Sequence, residues 1–173
     1  MACTSLSAGR LEVCKDTVGG LAAVYFINFE DTTFSVDAST GLATESGNNP
    51  DAYKYDLRGV STFEQNLQTS RENGTTFVEQ TLTVSLKKQD STTNKEVKLL
   101  AYGRPRVLIE DNNGNVFVMG HEYGAELTTA ATSSGAAMAD KSGYEMSFVA
   151  SEKVLAPFTQ EVLATTYNIV VGS

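Results

Sequence analysis

The sequence predicts a mainly β fold, an antiparallel β-sandwich or barrel with one flanking α-helix, and three features lead there. Residues 75–87 alternate with a period of two: Val78, Gln80, Leu82, Val84 and Leu86 fall on one face, and Phe77, Glu79, Thr81, Thr83 and Ser85 on the other. Residues 104–120, RPRVLIEDNNGNVFVMG, set two apolar runs of strand length on either side of Asn113-Gly114, a pair that tolerates the positive φ of a tight hairpin turn. Helical spacing is good in one stretch alone, residues 91–102, where Val97, Leu100 and Ala101 recur and Gly103 and Pro105 follow as stops. The 173 residues suffice for one domain, 1–173, with a substantial core.

In chain order, residues 1–18 have no clean period and are expected to form an arm. Gly19-Gly20 releases the chain into residues 21–29, LAAVYFINF, a β-branched and aromatic run that reads as a buried strand. Residues 30–50 are rich in Gly, Ser, Thr and Asn, which predicts a long loop over 38–51 that is mobile or laid against something. Alternation returns in 52–58, where Tyr53, Tyr55 and Leu57 share a face, and in 62–69, where Phe63, Gln65, Leu67 and Thr69 oppose Glu64, Asn66 and Gln68. A polar bend at 70–74 joins that strand to 75–87. Ser91 or Thr92 is expected to cap the helix, which should lay a narrow apolar stripe on the sheet.

A two-residue turn at Asn113-Gly114 sets Asn112 opposite Asn115, Ile109 opposite Val118 and Leu108 opposite Met119. Val107, Ile109, Val116 and Val118 then share one face, and Leu108, Glu110, Phe117 and Met119 the other. Both faces are apolar, so the ribbon is expected to be covered by its own domain on one side and by a helix or partner subunit on the other. Strands are expected at 125–132 and 144–149, on either side of a Ser/Gly/Ala link. Past Pro157, residues 158–173 form a second arm, with 161–171 an edge strand or a segment lent to a neighbour.

Lys and Arg total 13 against 21 Asp and Glu, a net charge of −8, which argues against a phosphate-binding surface. The densest basic groups, Lys87-Lys88, Lys95/Lys98 and Arg104/Arg106, read as solvated strand ends or helix faces. No basic start with an apolar run opens the chain and no stretch is greasy enough to span a bilayer, so synthesis and folding in a cytoplasm, without a membrane, are expected. Cys3 and Cys14 are expected to be free thiols there. His121, the sole histidine, lacks a nucleophile motif and is expected to be structural or at the surface. Gly19-Gly20 lacks the lysine and spacing of a phosphate loop. Residues 111–115 read as a turn rather than a calcium loop, Asn73-Gly74-Thr75 as a bend, and Tyr53, Tyr55 and Phe77 as packing residues. No catalytic, cofactor-binding or metal-binding residue is expected, and no enzyme.

From Ala52 onward the segments AYKYDLRG, STFEQNLQTSRENGTTFVEQTLTVSLKKQD, NKEVKLLAYGRP, RVLIEDNNGNVFVMGHEYGAELTTAATSSGAAMADKSGY and MSFVASEKVLAPF resemble tail tube and related virion structural proteins of tailed phages that infect Bacteroidetes-type hosts. The similarity runs from about Gly9 to Phe158 and is one of strands, turn and helix. It implies a small sandwich or barrel with one helix, homo-oligomeric as stacked hexameric rings whose inner sheets join into a channel, made in the host cytoplasm and placed in the virion tail beside other tail proteins. DNA would pass without specific binding.

A wall of Lys or Arg would hold phosphates by releasing counterions, whereas an acidic or neutral wall would not. The face carrying Glu64, Asn66, Gln68, Glu79, Thr81 and Thr83 is therefore expected to line the lumen. Contacts between subunits are assigned to Ser39, Thr40, Asn48 and Asn49 in the long loop, to Arg71, Glu72 and Asn73 in the bend, and to Phe117 and Met119 on the ribbon. A head-to-tail completion or tail-terminator ring is the alternative within this class. A β-sandwich module that binds carbohydrate or peptide on Tyr53 and Tyr55 is the alternative outside it.

Overall fold

Alternation becomes sheet where the period of two is longest. A computed structural model describes residues 8–11, 14–47, 49–161 and 163–172. In it β5 (Thr62–Ser70) and β6 (Thr75–Lys87) pair antiparallel from Thr62 opposite Thr83 to Ser70 opposite Thr75. β10 (Gly143–Glu152) takes the other edge of β6, and β9 (Glu126–Ser133) pairs with β10, giving a four-stranded sheet in the order β5-β6-β10-β9.

The second sheet has six strands, β11-β8-β7-β1-β4-β12. These are β1 (Leu21–Ile27), β4 (Asp51–Asp56), β7 (Arg106–Asp111), β8 (Val116–Met119), β11 (Phe158–Thr159) and β12 (Asn168–Val171). All its pairings are antiparallel except β12 on β4. Val24, Phe26, Val107, Ile109 and Met119 from this sheet meet Leu82, Val84, Met146 and Phe148 from the other in one core, where the Phe26 and Phe148 rings lie 5.0 Å apart. The fold is thus a β-rich sandwich, as the sequence predicts.

The six-stranded sheet is covered on its far side as well. Ala23, Tyr25, Ile27, Leu108, Val116 and Val118 form a second core with Phe34 of β2 (Phe34–Val36), Ala43 of β3 (Ala43–Glu45), Leu163 of α2 (Leu163–Thr166), Tyr167 and Ile169. Burial on both faces is why residues 21–27 read as an unbroken apolar run. The far cover of the ribbon comes from the chain's own β2–β3 hairpin and C-terminal segment, where the expected helix is present in part as the short α2. Residues 38–51 are accordingly not one loop: β3 lies inside that range and pairs with β2. Of the C-terminal segment, 158–159 and 168–171 pair on the chain's own sheet, the latter as its edge strand.

The hairpin register differs from expectation by one residue. Val107 faces Met119, Leu108 faces Val118 and Ile109 faces Phe117, so Phe117 and Met119 join Val107 and Ile109 on the inner face. The loop has three residues, Asn112-Asn113-Gly114, and of these Gly114 alone has positive φ, at +82°. Asp111 explains the choice: its Oδ1 accepts the backbone N–H of both Asn113 and Asn115 at 2.8 Å, and its Oδ2 accepts Asn115 Nδ2 at 2.9 Å. Partial burial pushes the Asp111 carboxyl up, but the hydrogen bonds from Asn115 and Asn113 together outweigh it and hold the group below the usual aspartate range.

A lowered folded value means a contribution to stability that is fully present above the unfolded carboxyl value and is lost as pH falls through the folded one. Asp111→Asn is therefore expected to lower Tm by about 2–4 °C at pH 7, with the gap to the parent closing in strongly acid solution. Thermal melts across pH check this; a gap independent of pH would remove the charge from the explanation.

α1 spans Ser91–Tyr102, as the periodicity predicts. Its cap is Asp90 rather than Ser91 or Thr92: the carboxylate accepts the Thr93 N–H at 2.7 Å. Val97 and Leu100 pack against the edge of the inter-sheet core. Among the described residues no helix is long and apolar enough to cross a membrane.

Candidate functional site

The outer face of the four-stranded sheet gathers all six predicted lumen residues. Thr62, Glu64, Asn66 and Gln68 of β5 stand opposite Thr83, Thr81, Glu79 and Phe77 of β6, and all of them are exposed or partly so. β10 extends the same face with Glu145, Ser147, Val149 and Ser151, paired to Ser85, Thr83, Thr81 and Glu79. Glu126 and Thr129 of β9 lie beside Val149 and Ser147. Gln68 Nε2 donates to Glu79 Oε2 at 3.3 Å, and Glu64 stands opposite Thr81. Positive charge stands at the two ends of this sheet: Lys87 closes β6 and Lys141 Nζ lies 2.8 Å from Glu145 Oε1 at one, and Arg71 in the β5–β6 turn and Lys153 just past β10 stand at the other. At the centre the surface can offer hydrogen bonds to water but no cation to a phosphate.

The residues assigned to subunit contacts are dispersed. Ser39 and Thr40 are exposed in the β2–β3 turn, where the Asp37 carboxylate accepts the Ser39 N–H and hydroxyl at 2.8 and 2.7 Å. Arg71, Glu72 and Asn73 are exposed in the β5–β6 turn, on the other sheet. Asn49 is exposed with φ +52°, and Asn48 lies outside the described residues. Phe117 is partly buried between Phe63 and Phe158, whose ring centroids lie 5.9 and 4.6 Å away. Met119 has no exposed surface, so its assignment to a contact is corrected: the register shift turned it into the core.

Sequence reasoning missed a buried polar network at one end of the sandwich. Arg106 does not sit at a solvated strand end; it is 5% exposed. Its Nε–H donates to the His121 carbonyl at 2.9 Å, and Nη1 donates to the carbonyls of Phe29 and Thr32, while the guanidinium carbon lies 4.0 Å from the centre of the Phe29 ring. Glu152, at the end of β10, is fully buried, and its Oε1 accepts the N–H of Glu122 and Tyr123 at 3.1 and 2.9 Å. Gln80, also buried, accepts the Gly120 N–H at 3.1 Å. These bonds converge on the 120–124 loop, where Gly120 has φ +67° and a Cβ would meet the Gly124 carbonyl carbon at 2.6 Å. The one local hint in the sequence is a charged residue heading an apolar run, Arg106 before VLI.

No family model matches this chain, and no curated protein or solved structure matches it either.

Proposed function

We propose that this chain is a structural subunit of a phage tail tube, in which copies join as rings around a channel that passes DNA without holding it. The observation that carries the reading is the outer face of β5, β6, β10 and β9: Glu64, Glu79, Glu126 and Glu145 spread among Thr, Ser, Asn and Gln, with lysine and arginine kept to its ends. The sheet also ends in strands that can be extended. β5 and β9 each pair on one side, and a neighbour adding to such an edge continues the sheet from one subunit to the next. Their placement lets one face serve the bore while the turns at Ser39 and Arg71 reach other copies.

Negative-stain microscopy of the purified chain over a range of concentrations tests this. Rings with a central hole, or tubes, are expected as concentration rises; a monodisperse monomer throughout overturns the proposal. In rings carrying Glu64→Lys and Glu79→Lys, assembly is expected to persist while salt-sensitive DNA retention appears. Retention equal to the parent's would detach this face from the bore. A completion or terminator protein would stop at single rings.

A second reading, a sandwich module binding carbohydrate or peptide, is favoured by the groove between α1 and β4. Tyr53, Tyr55 and Glu96 line that groove. It requires a monomer with a ligand there.

A further inference from the structure

We propose that His121, Glu152 and Glu122 form a binding site for a divalent transition-metal ion of the zinc class, tying the 120–124 loop to the end of β10. The observation behind it is a pair of orphaned atoms facing each other. His121 Nδ1 and Glu152 Oε2 are both buried, lie 3.5 Å apart, and have no hydrogen-bond partner among the described residues. Buried polar atoms without a partner are rare because desolvation is not repaid, and a pair aimed into one space calls for an occupant.

The surroundings keep the pair as it is. Glu152 cannot turn Oε2 toward another donor without giving up the two N–H groups on Oε1. Arg106 does not fill the gap either, since its Nε and Nη1 donors are directed at the carbonyls of His121, Phe29 and Thr32.

The spacing suits a metal. Two ligands on one tetrahedral zinc, with bonds of about 2.0–2.1 Å, stand about 3.3–3.4 Å apart, close to the observed separation. A Glu122 carboxylate oxygen lies in the same group, the three candidate atoms being within 4.8 Å of one another, and swings in by a rotamer change to reach bonding distance. The imidazole nitrogen favours zinc and its neighbours over calcium or magnesium, and the two carboxylates supply the negative charge against which Arg106 and Lys153 now stand. Three protein ligands leave a coordination position for water. Glu122 Oε1 now accepts from Lys153 Nζ at 2.6 Å, so a bound ion displaces the ammonium from that carboxylate. An entry path exists: Thr33, Phe34, Val36, Arg106, His121 and Glu122 line a hollow open to solvent.

The test uses the untagged full chain, in which His121 is the only histidine. Cobalt(II) is expected to bind at one equivalent with visible d–d absorption that zinc(II) abolishes. Zinc at a hundredfold excess over its Kd should raise Tm by about 5–10 °C. His121→Gln and Glu152→Gln should each weaken binding about tenfold or more; in the second variant the new amide oxygen can still accept both backbone N–H groups. A readout without substitution is the long-range proton–nitrogen spectrum of the imidazole, in which the Nδ1 resonance should move on adding zinc. The proposal is overturned by an Nδ1 resonance that zinc leaves in place, by no cobalt absorption, or by parental affinity in both variants, which would place the ion on Cys14 or surface carboxylates instead.

Discussion

Arg106→Ala is expected to be among the most damaging single substitutions in this chain. The side chain supplies donors to three carbonyls, of Phe29 and Thr32 in the β1–β2 connection and of His121 in the loop after β8, and so ties two segments together. Removing it leaves those oxygens inside the protein without a partner. It also takes a positive charge from the neighbourhood of the buried Glu152. Hydrogen bonds to a charged group contribute about 1.5–3 kcal/mol each, and members of one network do not sum, so a loss of about 4 kcal/mol is expected. For a domain of this length that corresponds to a Tm lower by about 8–16 °C. Lysine should recover less than half of this, because one ammonium cannot reproduce a planar fork that reaches three acceptors and stacks on Phe29. Thermal melts of Arg106→Ala and Arg106→Lys decide the matter. A midpoint within a degree or two of the parent in both would mean that water serves the carbonyls equally well.

That network marks the limit of what could be read in advance. Periodicity needs only neighbours in sequence, so β5, β6 and α1 were legible almost to the residue: their burial follows from one face of one element. The hairpin between β7 and β8 was legible as a hairpin but not in its register. The turn signal at Asn113-Gly114 is local, whereas the side chain that widened the loop, Asp111, stands outside the dipeptide. One residue of slip exchanged the two faces of β8 and drew Met119 from a proposed contact into the core. Six outward residues of β5 and β6 could be grouped in advance because strand alternation places them. Glu152 could not be joined to His121 and Arg106, since no period connects the end of β10 with the loop after β8. A buried carboxylate at a strand end looks in sequence like any solvated one.

The C-terminal segment covers the second core, and Tyr167→Ala is the substitution that tests that cover. Tyr167 is 2% exposed and packs in the second core against the outer face of the six-stranded sheet. Its hydroxyl donates to Glu161 Oε2 at 3.0 Å, and Glu161 Oε1 accepts the Glu45 N–H at 2.8 Å, so one ring ties the tail, the sheet and β3 together. Burial, reinforced by the charge and hydrogen bond of Glu161, pushes the phenol well above its ordinary range. Truncation to alanine should cost about 3–5 kcal/mol, the range for large buried rings, whereas Tyr167→Phe, which keeps the ring, should cost about 1 kcal/mol. The wide gap between the two is the prediction. It has a consequence for oligomerisation, because a loosened tail uncovers Tyr25, Leu108 and Val118, an apolar face that water does not tolerate. Sedimentation velocity of Tyr167→Ala should then show association that the parent lacks at the same low concentration. If the alanine variant instead melts within about 1 kcal/mol of the parent and sediments identically, the tail is not the cover of that face, and a neighbouring copy becomes the candidate for it.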